Sequence, residues 1–316
     1  MPPHTFRMSR RTLLLTGLAA ATPTRAQPAT KIVLGYTAVT DFASAFVAVE
    51  EGYFRKRGLD VLPQFIPINS TIPAALQAGS LQLGGPTPSV FLQAVDGGLA
   101  HVVVGGGGAT SKSTLGFGLV ARAGSGIKTA QDCIGRTIGV PGLGAFLHVT
   151  FRAWLKFSAV DYKKVSFVEA AFPQHADLLR GGSVDGVVSA EPFMTRLAAS
   201  GAGYVASYYS SFMPDGVPTI VYAARRDWAA AHAAQVSAFR DALVEAAAWM
   251  GQPANEARLR QHIGKYIKLP PEVLAKMIIS PPLPIVPARG LDYWVDMMKD
   301  QEMLTGTPDT AKLLHL

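Results

Sequence analysis

Short apolar segments alternate with helical patterns along most of this chain, and that alternation limits the folds open to it. Lys31–Tyr36 (KIVLGY) reads as a buried strand. Ala43–Arg57 has helical spacing, with Phe46, Val49 and Tyr53-Phe54 on one side, and Thr40 or Asp41 stands where an N-cap belongs. Gly58 follows Arg55, Lys56 and Arg57, as at a helix C-terminus. Leu59–Ile68 reads as a strand near an edge, because Pro63 and Pro67 cannot donate to a ladder. Helix Ile72–Gln77, strand Leu81–Gly84, helix Ser89–Val95 and strand His101–Val104 continue the pattern. Strands alternating with helices of this length imply βαβ units and a mostly parallel sheet.

A second set begins near residue 116. Strands are expected at Phe117–Ala121, Thr137–Val140, Val165–Val168, Gly186–Val188 and Tyr204–Ala206, with helices at Ala145–Phe157, Gln174–Arg180 and Glu191–Ser200 between them. Thr219–Ala223 reads as a strand returning the chain to the first set. The remainder is helical: Asp227–Trp249, Glu256–Tyr266, Pro271–Ile279 and Leu291–Glu302. With 49% hydrophobic and 16% charged residues, the 316-residue chain has the composition of packed domains and not of a disordered polymer.

Residues 1–26 read as an export signal and are set aside from the fold. Ser9-Arg10-Arg11-Thr12-Leu13 is a twin-arginine signature, Leu13–Ala21 is an apolar run too short to span a bilayer, and Thr24-Arg25-Ala26 offers a cleavage site. The expected location is therefore the periplasm. The formal net charge is +7, and losing Arg7, Arg10, Arg11 and Arg25 leaves +3. No basic run remains that would serve a nucleic-acid face. The single cysteine, Cys133, makes no internal disulfide and no Cys-rich metal site. Its place just before a strand, at the end away from any cleft, suits a small core residue.

Candidate function lies in loops. In open α/β sheets ligands bind beyond the carboxyl ends of the strands, where helix N-termini offer free N–H groups. Five loops have that position: Thr37–Phe42, Gly84–Ser89, Gly105–Ser111, Pro141–Phe146 and Ser189–Phe193. In the second, glycines permit close backbone approach and Thr87 and Ser89 bring hydroxyls, although Ser89 would also serve as an ordinary cap. The third supplies Gly108 and Ser111. The fourth lacks the third glycine of a dinucleotide fingerprint and the Lys of a P-loop, so no nucleotide and no other cofactor is expected. His148, one turn into the following helix, either faces a cleft or is structural. Glu191 caps its helix, bridges lobes or accepts from a ligand. No H-E-x-x-H or G-x-S-x-G pattern occurs.

Taken in order, Ala48–Val61 (AVEEGYFRKRGLDV), Ala74–Gly79 (AALQAG), Asp132–Val140 (DCIGRTIGV), Leu178–Pro192 (LLRGGSVDGVVSAEP) and Val217–Ala224 (VPTIVYAA) resemble substrate-binding proteins of ABC importers in the nitrate/sulfonate/taurine and thiamine-pyrimidine-precursor group. The resemblance covers roughly residues 31–250. It implies a two-lobed type II periplasmic-binding fold, lobe 1 from residues 31–115 plus 224–316 and lobe 2 from residues 116–223, with crossings near Ser113–Leu119 and Val217–Ala223. It implies a monomer that closes on a small organic ligand and serves a membrane permease. Carried over by position, Thr40, Asp41 and Phe42 match the first ligand loop, Thr87 and Ser89 the second, Gly144, Ala145 and Phe146 the helix-start site, and Glu191 and Phe193 the last.

The chain departs from the family in two places. Cys133 stands where Leu is usual. The cysteine-rich motif of the pyrimidine-synthesising branch is missing, and none of the five loops has the cleft cysteine of a related desulfinase branch. The expected function is therefore capture rather than catalysis, with an enzyme on the same fold, or a sensor for a signalling partner, as alternatives. The loops hold no Arg, and Phe42, Phe146 and Phe193 offer flat apolar walls. These features favour an organic solute (a sulfonate, carboxylate or aromatic compound) with at most one anionic group.

Overall fold

The computed structural model describes Met1, Pro3 and residues 29–315. The twin-arginine motif, apolar run and cleavage site expected over residues 9–26 lie outside the described residues. Among the described residues, no helix is long and apolar enough to cross a membrane.

Among the described residues, ten strands form two five-stranded sheets. The first has the order β2-β1-β3-β10-β4, from β1 (Thr30–Tyr36), β2 (Leu59–Phe65), β3 (Leu83–Gly84), β4 (His101–Gly106) and β10 (Val221–Arg225). The second has the order β7-β6-β8-β5-β9, from β5 (Phe117–Arg122), β6 (Thr137–Val140), β7 (Ser166–Glu169), β8 (Gly186–Ala190) and β9 (Gly203–Ser207). The two orders are the same arrangement. In each sheet four strands run one way, and the fourth in the order runs against both neighbours. The reversed strand is in each case the first one the chain makes after crossing from the other sheet. Two mixed sheets flanked by helices, joined in this way, make the two-lobed type II fold.

β4 is buried along its whole length and β8 along all but its last residue, and both read as near-continuous apolar runs, as strands covered on both faces do. The helix Phe146–Phe157 shows why its residues form it. Phe146, Leu147, Val149, Phe151 and Leu155 recur at helical spacing and are all buried, while Lys156 and Phe157 face outward. The expected helix Ala43–Arg57 stops at Glu50. A short 3₁₀ turn, Arg55–Arg57, follows, and Gly58 takes a left-handed φ of 71°. The expected helix from Asp227 is broken at His232 into Arg226–Ala231 and Ala233–Met250.

The two segments that cross between the sheets run side by side. Ala109 pairs with Pro218, Thr110 N donates to Val217 O at 2.9 Å, and Thr110 Oγ1 donates to Pro214 O at 2.6 Å. The first crossing thus pairs a few residues before the expected Ser113–Leu119, the second pairs at the start of the expected Val217–Ala223, and β10 from Val221 onward belongs to the first sheet. Residues 221–223 therefore go with lobe 1, not with lobe 2.

A third tie comes from the C-terminal region. Trp294, on the helix Ala288–Lys299, is fully buried against Phe146, with ring centres 5.2 Å apart, and its Nε1 donates to Pro218 O at 3.0 Å. Buried Gln301 donates to Val149 O at 3.0 Å.

Candidate functional site

A cavity of about 70 Å³ opens where the two sheets face each other. Its walls come from the carboxyl ends of the co-directional strands and the starts of the reversed ones, the position that open α/β sheets reserve for ligands. Thr37 follows β1, Pro141 follows β6, Phe172 lies just past β7 and Ala190 ends β8. Phe117 opens β5, and Thr219 and Ile220 lead into β10.

Five of the thirteen residues expected from the loops reach this cavity: Asp41, Thr87, Ser111, Ala145 and Phe146. Thr87 holds the two lobes together. Its Oγ1 accepts from Val90 N at 3.4 Å, capping the helix Pro88–Asp96, and also from Phe146 N at 3.3 Å on the opposite lobe. Thr87 N in turn donates to Asn69 Oδ1 at 2.8 Å, while Asn69 Nδ2 donates to Gly85 O at 3.0 Å. Phe146 meets Phe117 edge to face at 4.9 Å, and Phe172 also lines the cavity, with Phe193 stacked against it at 5.2 Å.

The other eight stand elsewhere, each for a visible reason. Phe42 is fully buried and packs against Gly85, where an added Cβ would fall 2.2 Å from its ring, while a Cβ on Gly84 would meet the Ile72 side chain at 2.5 Å; the glycine pair makes room for core side chains. Phe193 lies behind Phe172. Ser89 is fully buried, 3.1 Å from Thr87 Oγ1. Thr40 is not a helix cap: its Oγ1 accepts from Ser280 N at 3.2 Å.

Gly108 sits where a Cβ would come within 2.6 Å of Asp41 Oδ1, and Gly107 where one would come within 2.6 Å of Asp41 O. The four-glycine turn is a close crossing of chain segments. Gly144 takes φ 75°, and its carbonyl accepts from Gln93 Nε2 at 2.9 Å. His148 turns back on its own helix start, Nδ1 accepting from Gly144 N at 2.9 Å, and burial pulls its pKa down to about 4. Glu191 accepts from Thr195 Oγ1 at 3.0 Å, and burial pushes its pKa up. Neither His148 nor Glu191 lines the cavity.

Several lining residues were missed. Asn69 follows β2 in a polar Asn69-Ser70-Thr71 turn and Phe172 follows β7, each just past a segment that was singled out, while Thr110 lies inside the candidate loop Gly105–Ser111. Ser280 had no local signal, because it reaches the site from the far end of the chain. Cys133 is buried, with Sγ 3.7 Å from Thr129 O, and burial pushes its thiol up to about 12, which leaves it protonated and unreactive at neutral pH.

Among the described residues, Asp41 is the ionisable one in the lining. The protein around its carboxyl pushes its pKa up, against the pull of the hydroxyl of Thr219, which donates to Oδ1, and of the neighbouring Ser280. The arrangement offers flat apolar walls, several hydroxyls and one acid.

The family model described as NMT1-like matches residues 25–264, about three quarters of the chain. The chain belongs to the NMT1-like family. It is 26% identical over 294 residues to the nitrate import ATP-binding protein NrtC of Synechocystis sp., covering 84% of this chain and 41% of that one. It is likewise 26% identical over 260 residues to the nitrate/nitrite binding protein NrtA of Synechococcus elongatus, covering 73% of this chain and 57% of that one. The chain thus spans only about half the length of these relatives.

Among solved structures, the alkanesulfonate-binding protein SsuA from Xanthomonas axonopodis pv. citri bound to MOPS aligns with a TM-score of 0.75 at 18% identity, over 92% of this chain and 99% of that one. The periplasmic nitrate-binding protein NrtA from Synechocystis aligns with a TM-score of 0.75 at 16% identity, over 91% and 86%. NMT1-like membership and these two likenesses establish the same two-lobed fold.

Proposed function

We propose that this NMT1-like chain is the extracytoplasmic solute-binding component of an ABC importer, and that it captures a small organic solute with an apolar, flat body. The observation that carries this reading is the cavity itself, walled by Phe117, Phe146 and Phe172 at the strand ends where two lobes meet. Its relatives include nitrate-import and nitrate-binding proteins, and its structural neighbours bind alkanesulfonate and nitrate. Capture in a cleft needs no reactive constellation, and His148, Glu191 and Cys133 all point away from one.

In this reading residues 31–115 and 224–316, with β10, close against the second lobe about the paired crossings at Thr110. Ligand contacts from both sides favour the closed state. The protein acts as an exported monomer that delivers to a membrane permease.

The cavity of about 70 Å³ is smaller than the ~150 Å³ that admits a benzene in an engineered core. A ring-sized guest therefore requires the lobes to part slightly. The test is a thermal-shift screen of the mature protein against small organic acids, amines and neutral heterocycles, repeated with Phe146→Ala. A solute bound by the folded state alone raises the midpoint. The variant is expected to lose most of that rise while still unfolding cooperatively. An undiminished response places the site elsewhere.

A further inference from the structure

This inference rests on the cavity being the solute site. An anion held between two lobes needs cations or a dense set of free donors around it. Among the described residues neither Arg nor Lys lines this cavity, and the ionisable group in its wall is the acid Asp41. Some of the neutral donors are already engaged: Asn69 Nδ2 is given to Gly85 O, and the Thr219 hydroxyl to Asp41.

Asp41 is also held in place deliberately. Thr219 fixes one oxygen, and Gly107 and Gly108 wrap the residue so closely that a Cβ on either would strike it at 2.6 Å. A carboxylate fixed in the wall of a small cavity repels an anion and attracts a cation or an N–H donor. We propose that Asp41 is the specificity residue of the cavity: it rejects anions and pairs with the nitrogen of an organic cation or N–H donor whose flat body lies among Phe117, Phe146 and Phe172. The sequence expectation of at most one anionic group then narrows to none. The selectivity is opposite in sign to that of the sulfonate- and nitrate-binding proteins that share the fold.

The burial that pushes the Asp41 pKa up is consistent with this pairing, because an incoming cation restores the ionised form. The test is calorimetric titration with four probes of one ring size: benzamidine, benzylamine, benzoate and benzenesulfonate. Wild type, Asp41→Asn and Asp41→Glu are compared, with the unliganded melting midpoint of each variant as the check on folding.

The two cations are expected to bind wild type and the two acids are not. Asp41→Asn should weaken the cations at least tenfold, and Asp41→Glu should recover part of the loss. Acids that bind wild type, and bind Asp41→Asn tenfold or more tightly, overturn the selectivity and leave the cavity as the solute site. Cations that bind wild type and both variants equally place binding outside the cavity, and the functional reading falls with the inference. No binding of either cation at millimolar concentration also overturns it.

Discussion

Asp41 occupies a turn whose sequence suggests a helix cap, yet its carboxyl faces the cavity beside Thr219 and Ser280. Burial raises its pKa, so its ionised form is disfavoured in the folded, unliganded protein. A group whose pKa is raised on folding contributes stability below its unfolded pKa and loses that contribution as pH rises through the folded value. Wherever the pH lies above that folded value the ionised Asp41 is a cost, and there Asp41→Asn is expected to raise the melting midpoint of the unliganded protein while it weakens capture. An unchanged or lower midpoint in that variant contradicts the burial argument. The same raised pKa sets the pH dependence of binding. Benzylamine stays cationic across the acid range, so its affinity should rise with pH as Asp41 ionises, with about one proton released on binding. A flat profile of Kd against pH would count against Asp41 as its partner.

Residue direction is also where the sequence was least legible. In a helix or strand the period says which way a side chain points, but a loop has no period. Phe42 and Phe146 both stand in candidate loops. One wedges against Gly85 in the core, while the other walls the cavity. Phe172 carries the role that Phe193 was expected to have, because Phe193 packs behind it.

The elements themselves were easier to read. Ile72–Gln77, Thr137–Val140 and Glu256–Tyr266 stand as their apolar spacing implies, since burial of one face decides them. Helix ends were less so. The break at His232 and the stop at Glu50 depend on packing between distant segments that local propensity does not contain.

Two elements invite tests. The glycine turn after β4 works by close approach, so Gly107→Ala, whose Cβ would meet the Asp41 carbonyl, should destabilise by about 1–3 kcal/mol through overpacking. Denaturant unfolding measures this, and a loss below ~0.5 kcal/mol would show that the turn can relax. At the cleft mouth, Glu169 Oε1 accepts from Ser70 Oγ at 3.2 Å and Leu143 N at 3.0 Å, joining one lobe to the other on an exposed surface. Glu169→Ala should speed ligand release several-fold in stopped-flow chase experiments while changing stability by less than ~0.5 kcal/mol. Unchanged release would mean that this clasp does not govern opening.

For the whole molecule, the strand–helix alternation implied βαβ units, the family resemblance implied two lobes, and the repeated strand order bears out that architecture. The reversed fourth strand in each sheet follows from the crossings, the first of which pairs at Thr110, a few residues earlier than expected. What composition did not reveal is how far the C-terminal region reaches, both back within lobe 1 and across to lobe 2. Ser280 reaches Thr40 across 240 positions, and Trp294 and Gln301 cross to the helix that begins at Phe146. Contacts between residues this far apart leave no periodic trace.

All these levels meet in one claim, that a solute sits between the lobes with its nitrogen on Asp41. The most direct measurement is the crystal structure of the protein grown with benzamidine. Ligand density is expected among Phe117, Phe146 and Phe172, with an amidine nitrogen within hydrogen-bonding distance of Asp41. Density at another surface, or a ligand in the cleft with its nitrogen turned away from Asp41, would contradict it.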